Sequence, residues 1–176
     1  MESRAKLLGH PIHTTLIVFP LGLLGMAEIF DLLSLALGQG YWAEIALWMM
    51  IAGVVTGLIA APFGLIDWLA IPAGTRAKRI GAIHGIGNVI VLVLFATSAW
   101  LRLGTPQATV ALAAFLPLDM FLRTSAGLAV ILSLVGFLLA LVTGWLGGEL
   151  VDRLGVGVDD HAHVDAPNSL RTRRAA

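Results

Sequence analysis

The sequence predicts an all-α integral membrane protein, a four-helix bundle with both termini on the cytoplasmic side. Three observations predict it. Charged residues make up 12% of the 176 residues and hydrophobic ones 58%. A soluble domain carries about 25% charge, so too little is available here to coat a water-exposed surface. Four apolar runs, residues 14–37, 43–69, 80–101 and 122–146, each exceed the roughly 20 residues that cross a hydrocarbon core of about 30 Å. Runs of that length satisfy their backbone groups in lipid as helices. The basic residues are also segregated. With four spans, the termini and the central loop share one side, which holds Arg4, Lys6, Arg76, Lys78, Arg79, Arg153, Arg171, Arg173 and Arg174. The other side holds Arg102 and Arg123. The positive-inside rule makes the first side cytoplasmic, which places the chain in the cytoplasmic (inner) membrane.

The elements follow in order. Arg4 and Lys6 ahead of an apolar run are the opening of a signal peptide, but the run continues past Gly25 and Ala27 to Leu37. It is therefore expected to stay as the first helix. Pro11 suits the first helical position, and Pro20 is expected to kink the span. Gly38 and Gly40 end it. Tyr41 and Trp42 open the second helix as an interfacial aromatic pair, and Pro62 is a second expected kink. Pro72, Gly74 and the basic cluster form the central loop. The third helix runs to Trp100 and Arg102. Within the outer loop, residues 110–118 are apolar but too short to span, so an interfacial or re-entrant segment is expected. The fourth helix breaks at Gly147 and Gly148. Residues 1–156 form the membrane domain, and residues 157–176 are a polar tail expected to be disordered. No internal repeat is evident.

Polar and ionisable side chains are costly inside a membrane, so each is a candidate for function. Their depths coincide. His10 and His13 open the first helix, Asp67 and Trp68 close the second, and Glu149 closes the fourth. His84 lies about 7 Å into the third at 1.5 Å per residue, with Asn88 one turn deeper. Gly81, His84, Gly85 and Asn88 form one stripe of the third helix, and Gly53, Gly57, Ala60, Gly64 and Asp67 one stripe of the second. Small residues in such stripes let helices approach closely, so both stripes are expected to face the bundle interior.

Three readings of this cluster stay open. The first is a cofactor site: a b-type haem, or a non-haem transition metal such as iron or zinc. Imidazoles ligate all of these, and four-helix bundles build such sites from facing helices. His13 and His84 are the leading ligands and His10 the next. Asp67, Glu149, Asn88 and Trp68 would be ligands or would orient the imidazoles. Lys78 and Arg79 would answer haem propionates. Electron transfer would then need a redox partner or quinone, because no histidine lies near the outer face. The second reading is proton or metal-ion transport through a His/Asp/Glu relay, against which the middle of the bundle is nearly all apolar. The third is a membrane scaffold or partner subunit, free to form oligomers, in which the same groups pair structurally, Asp67 and Glu149 with Arg79 or Arg153. The tail residues His161 and His163, among three aspartates, offer a further metal-binding pattern, with a solvated tail as the plainer reading. Zero net charge gives no bulk attraction to nucleic acid, and the absence of cysteine removes thiolate ligands and disulfides.

Four segments carry a family resemblance: Gly9-His10-Pro11-Ile12-His13, the run from Ala61 to Trp68, the His84 helix, and the run from Gly144 to Val151. Over about residues 7–158 the chain resembles a bacterial multi-pass membrane family catalogued as a domain of unknown function. The resemblance carries over His10, His13, Asp67, Trp68, His84, Trp145 and Glu149 as motif positions. Relatives often have proline after the second histidine, where this chain has Thr14. Some relatives are fused to a Rieske iron–sulfur domain, which implies redox chemistry by association; this chain has neither that domain nor cysteine.

Overall fold

Each apolar run becomes one long helix in the computed structural model, which describes residues 1–169. Arg171, Arg173 and Arg174, counted above in the charge bias, lie outside the described residues. The first span has two segments, α1 (Ile12–Leu16) and α2 (Val18–Leu37). They part where Pro20 lacks the N–H that would reach the Leu16 carbonyl. Gly38, at a left-handed φ of 66°, stops α2. Helix α3 (Gly40–Ala70) runs back unbroken through Pro62, and α4 (Arg76–Leu103) crosses again. Thr75 caps α4 by accepting the Lys78 N–H at 3.1 Å. Three short pieces follow: α5 (Gln107–Leu112), a 3₁₀ turn (Ala113–Phe115) and α6 (Leu118–Phe121). Helix α7 (Ser125–Gly148), capped by Thr124, makes the last crossing and ends in a wider π-type turn at Glu149–Arg153.

The four candidate spans hold 26 to 31 residues, which at 1.5 Å per residue is about 40–46 Å and covers a bilayer core of about 30 Å with margin. Their outward faces are apolar. Leu21, Leu58, Ile86 and Leu141 are each more than half exposed. Soluble proteins do not sustain apolar surface on this scale, and lipid is the solvent that accepts it. Inside, Leu24, Leu47, Met50, Val91 and Phe95 form the core with small residues between them. The outer-loop segment folds as α5 and its 3₁₀ turn against the far end of the bundle. Val110 and Ala113 are buried there beside Ala43, Ala126 and Val130.

The bundle is two similar hairpins, one made of α1–α3 and the other of α4 and α7. His13, Leu24 and Asp31 of the first correspond to His84, Phe95 and Arg102 of the second at a constant offset of 71 residues. The returning helices match as well. Gly53 lies under Leu24 and Leu23, as Gly136 lies under Phe95 and Leu94. Gly64 lies under the His13 ring, as Gly147 lies under the His84 ring. The sequence shows no repeat because the correspondence is confined to helix-contact positions, while the lipid-facing residues between them only have to be apolar.

The helix ends sort into two groups. The N-terminal segment, the loop between α3 and α4 and the π-type turn meet at one end, called the histidine end below. Here β1 (Lys6–Leu7) and β2 (His10–Pro11) pair as a small antiparallel ribbon. Its two-residue turn has positive φ at Leu8 and Gly9, which matches the twist of tight hairpins. Residues 157–169, part of the tail expected to be disordered, form turns near the N-terminal segment, the Gly157 N–H reaching the Met1 carbonyl at 2.9 Å. Residues 170–176 lie outside the described residues.

Candidate functional site at the histidine end

His13 and His84 are held in the same way. His13 Nδ1 lies 3.1 Å from the Ala60 carbonyl of α3, and its ring rests on Gly64, one turn further on. His84 Nδ1 lies 2.9 Å from the Thr143 carbonyl of α7, and its ring rests on Gly147, again one turn on. A carbonyl only accepts, so each Nδ1 carries the hydrogen. In a neutral ring the lone pair is then on Nε2. Both rings pack against glycine, and the fit is tighter at Gly64 than at Gly147. A methyl at position 64 would sit 2.7 Å from His13 Cε1, and one at position 147 would sit 3.1 Å from His84 Cε1.

Asn88 continues the arrangement. Its Nδ2 donates to His84 Nε2 at 3.1 Å, and its Oδ1 accepts from the Thr143 hydroxyl at 3.0 Å. Thr143 thus holds the His84 ring at one edge through its carbonyl and at the other through Asn88. His13 Nε2 has no hydrogen bond among the described residues. His13 lies close enough to His84 to act on it electrostatically.

The remaining candidates occupy other positions. Asp67 anchors the N-terminal segment: it accepts the Ser3 hydroxyl at 2.8 Å, the Arg4 N–H at 2.7 Å and the Ala5 N–H at 3.3 Å. Glu149 pairs with Arg76 at 2.6 Å. Neither carboxylate takes the arginine expected of it, because Arg76 at the start of α4 reaches the end of α7 directly. Trp68 donates to the Lys78 carbonyl at 3.1 Å, while Lys78 Nζ bonds the Trp68 carbonyl at 2.7 Å and sits 4.0 Å from the Trp68 ring centre. Together they close the α3–α4 loop. Arg79 is exposed. His10 stands on the exposed ribbon, 3.3 Å from the Ser169 hydroxyl, and does not share the His13 setting. The tail residues His161 and His163 are exposed. Among the described residues no three His, Asp or Glu side chains are gathered closely enough for a metal ion.

The stripe on α3 is as expected: Gly53, Gly57 and Ala60 are buried. On α4, Gly81 is buried and His84 and Asn88 reach α7 as expected, but one member differs. Gly85 is exposed and has open space around it, whereas Gly87, which would meet Thr143, is buried.

The chain matches, over residues 9–160, the model of a family described as a predicted membrane protein (DUF2231). It belongs to this family. The match spans both hairpins and the π-type turn and takes in His10, His13, Asp67, His84 and Glu149, beginning just after β1. No curated protein and no solved structure matches the chain.

Sequence reasoning missed a second polar layer, at the opposite end. Arg102, expected at the end of the third helix among the basic residues of the other side, is fully buried. Its two terminal nitrogens bind Asp31 at 2.5 and 2.7 Å, and Nη2 also reaches the Ser133 hydroxyl at 3.3 Å. Glu28, one turn from Asp31, is buried beside them. The available signal was the spacing of Glu28 and Asp31 in an otherwise apolar run, opposite a lone arginine.

Proposed function

We propose that the chain is a redox protein of the cytoplasmic membrane in which His13 and His84, one from each hairpin, are the two ligands of a single b-type haem at the cytoplasmic face. The observation that carries this reading is the matched anchoring of the two rings. Both Nδ1 hydrogens are spent on helix carbonyls, which fixes the tautomer whose Nε2 can bind a metal. The donor set favours haem over a non-haem ion. A zinc or non-haem iron site draws three or four ligands from the protein, and Asp67 and Glu149 are engaged elsewhere. A haem would be held by two protein ligands, and His13 and His84 would be those two. It would supply one-electron chemistry at the metal.

The chain's own residues have separable roles in this proposal. Thr143 and Ala60 orient the ligands. Asn88 covers His84 Nε2 and would have to release it for His84 to serve as a ligand. Arg79, whose side chain makes no hydrogen bond or ion pair among the described residues, is suited to a propionate, whereas Lys78 is engaged on carbonyls. No histidine stands at the opposite end, so electrons would be exchanged with a partner or quinone on the histidine side.

Purification in mild detergent followed by haem and metal analysis tests the proposal. The expected result is one haem per chain, as isolated or after reconstitution. A stoichiometric non-haem metal, or no cofactor after reconstitution, would overturn it.

A further inference from the structure

We propose that Glu28 is a proton-binding site, holding one proton per chain at neutral pH in the polar layer opposite the histidines. Glu28 is 1% exposed, and neither of its carboxylate oxygens has a hydrogen-bond partner among the described residues. Asp31 and Arg102 neutralise each other through two parallel contacts. An ionised Glu28 would therefore leave one uncompensated negative charge in a layer that water does not reach. Low-dielectric surroundings do not sustain an isolated carboxylate; it takes a partner or a proton.

The surroundings select the proton over a metal cation. A hard cation collects six or more oxygen ligands in the well-known cases. Both Asp31 oxygens are already bound by the guanidinium, and Oδ2 by Ser133 as well. Only Glu28 has oxygens to spare, and Arg102 places a fixed positive charge beside them.

The groups facing Glu28 are few. Asp31 on its own helix, Arg102 from α4 and Ser133 from α7 are the polar groups near it. From α3, this region of the core receives the apolar Ala46, Leu47 and Met50. The proton comes from water at the adjacent surface and binds one carboxylate oxygen, giving a neutral acid. Its O–H supplies a donor beside Asp31 and Ser133. Glu28 is thereby also a reserve counter-ion: if Asp31 loses its charge, Glu28 releases the proton and pairs with Arg102. Nothing in this inference depends on a haem at the histidine end.

Infrared spectroscopy of the full chain in lipid tests it. At neutral pH the wild type should show the C=O stretch of a neutral carboxylic acid, sensitive to deuterium exchange. Labelling with ¹³C-carboxyl glutamate should move that band, assigning it to glutamate without any substitution. Glu28→Gln should abolish it and leave thermal stability within a few degrees of wild type. Asp31→Asn should also abolish it, because Glu28 then ionises. Absence of the band in the wild type, or its survival in Glu28→Gln, overturns the proposal. Stability that rises with sodium over choline chloride in the wild type but not in Glu28→Gln would show a cation site and overturn it equally.

Discussion

Removing Arg102 should be the most damaging single change in the bundle interior. Arg102 supplies the positive charge of the polar layer opposite the histidines and holds Asp31 at 2.5 and 2.7 Å with both partners buried. Two unit charges about 4 Å apart attract by about 4 kcal/mol at an effective dielectric constant near 20. Breaking a buried pair by deleting one partner costs about 3–5 kcal/mol, because the survivor is left uncompensated. Arg102→Met is therefore expected to lose about 3–5 kcal/mol, limited by the ability of Asp31 to take up a proton. Asp31→Asn should cost about 1–2 kcal/mol, the scale of a lost charge-assisted hydrogen bond, because Glu28 stands one turn away to replace it. The double variant Glu28→Gln with Asp31→Asn removes the replacement and should cost clearly more than the two single changes added together. The charge exchange Asp31→Arg with Arg102→Asp should recover most of the loss, since the two residues occupy corresponding positions of the two hairpins. Reversible unfolding in mixed micelles, followed by circular dichroism, measures all of these. A loss below about 1 kcal/mol for Arg102→Met, the range of an exposed pair, would refute the reasoning, as would strict additivity in the double variant.

Other outcomes follow from the same geometry. Gly64→Ala should cost about 1–3 kcal/mol by overpacking and displace His13 from the Ala60 carbonyl, with Gly147→Ala milder because its contact is looser (3.1 against 2.7 Å); thermal denaturation and His ring NMR shifts report both. Asp67→Asn should release the N-terminal segment, seen as faster amide exchange at Arg4 and Ala5 and earlier proteolytic cleavage there, with a loss of about 1–3 kcal/mol. The Lys6 hydrogen bond, with the Asp160 N–H second, holds the Glu2 carboxyl below its ordinary value. A lowered carboxyl value stabilises the fold above the unfolded-state value and ceases to do so as pH falls through the folded one. NMR titration should therefore find Glu2 below the usual glutamate range, and Lys6→Met should return it toward that range.

The sequence made the four spans legible because lipid imposes a length and an apolar composition that no other environment requires. Helix ends were legible where a special residue marks them, as at Gly38 and Gly148. The depth of His13, His84, Asp67 and Glu149 could be read by counting residues from the helix ends. Their partners could not, because partners depend on the rotation and packing of helices far apart in sequence. Asp67 binds backbone N–H groups of Arg4 and Ala5, donors that every residue carries and no side-chain pattern announces. One member of the α4 stripe was misassigned, Gly85 in place of Gly87 two positions on, since both glycines fit a helical spacing and only contact with Thr143 separates them. Arg102 was placed correctly at a span's end, but its burial was not foreseen, because an arginine there ordinarily reaches water; the burial depends on Asp31 meeting it from the other hairpin. The two-hairpin correspondence was hidden for the same reason, being written in what touches what.

The most direct test of the paired-histidine account is the reduced-minus-oxidised visible spectrum of the wild type beside His10→Ala, His13→Ala and His84→Ala, each purified or reconstituted identically. The account predicts the sharp bands of a low-spin, two-imidazole haem in the wild type and in His10→Ala, and their loss in both His13→Ala and His84→Ala. Folded protein without those bands in the wild type, or bands retained in either of the last two variants, would contradict it.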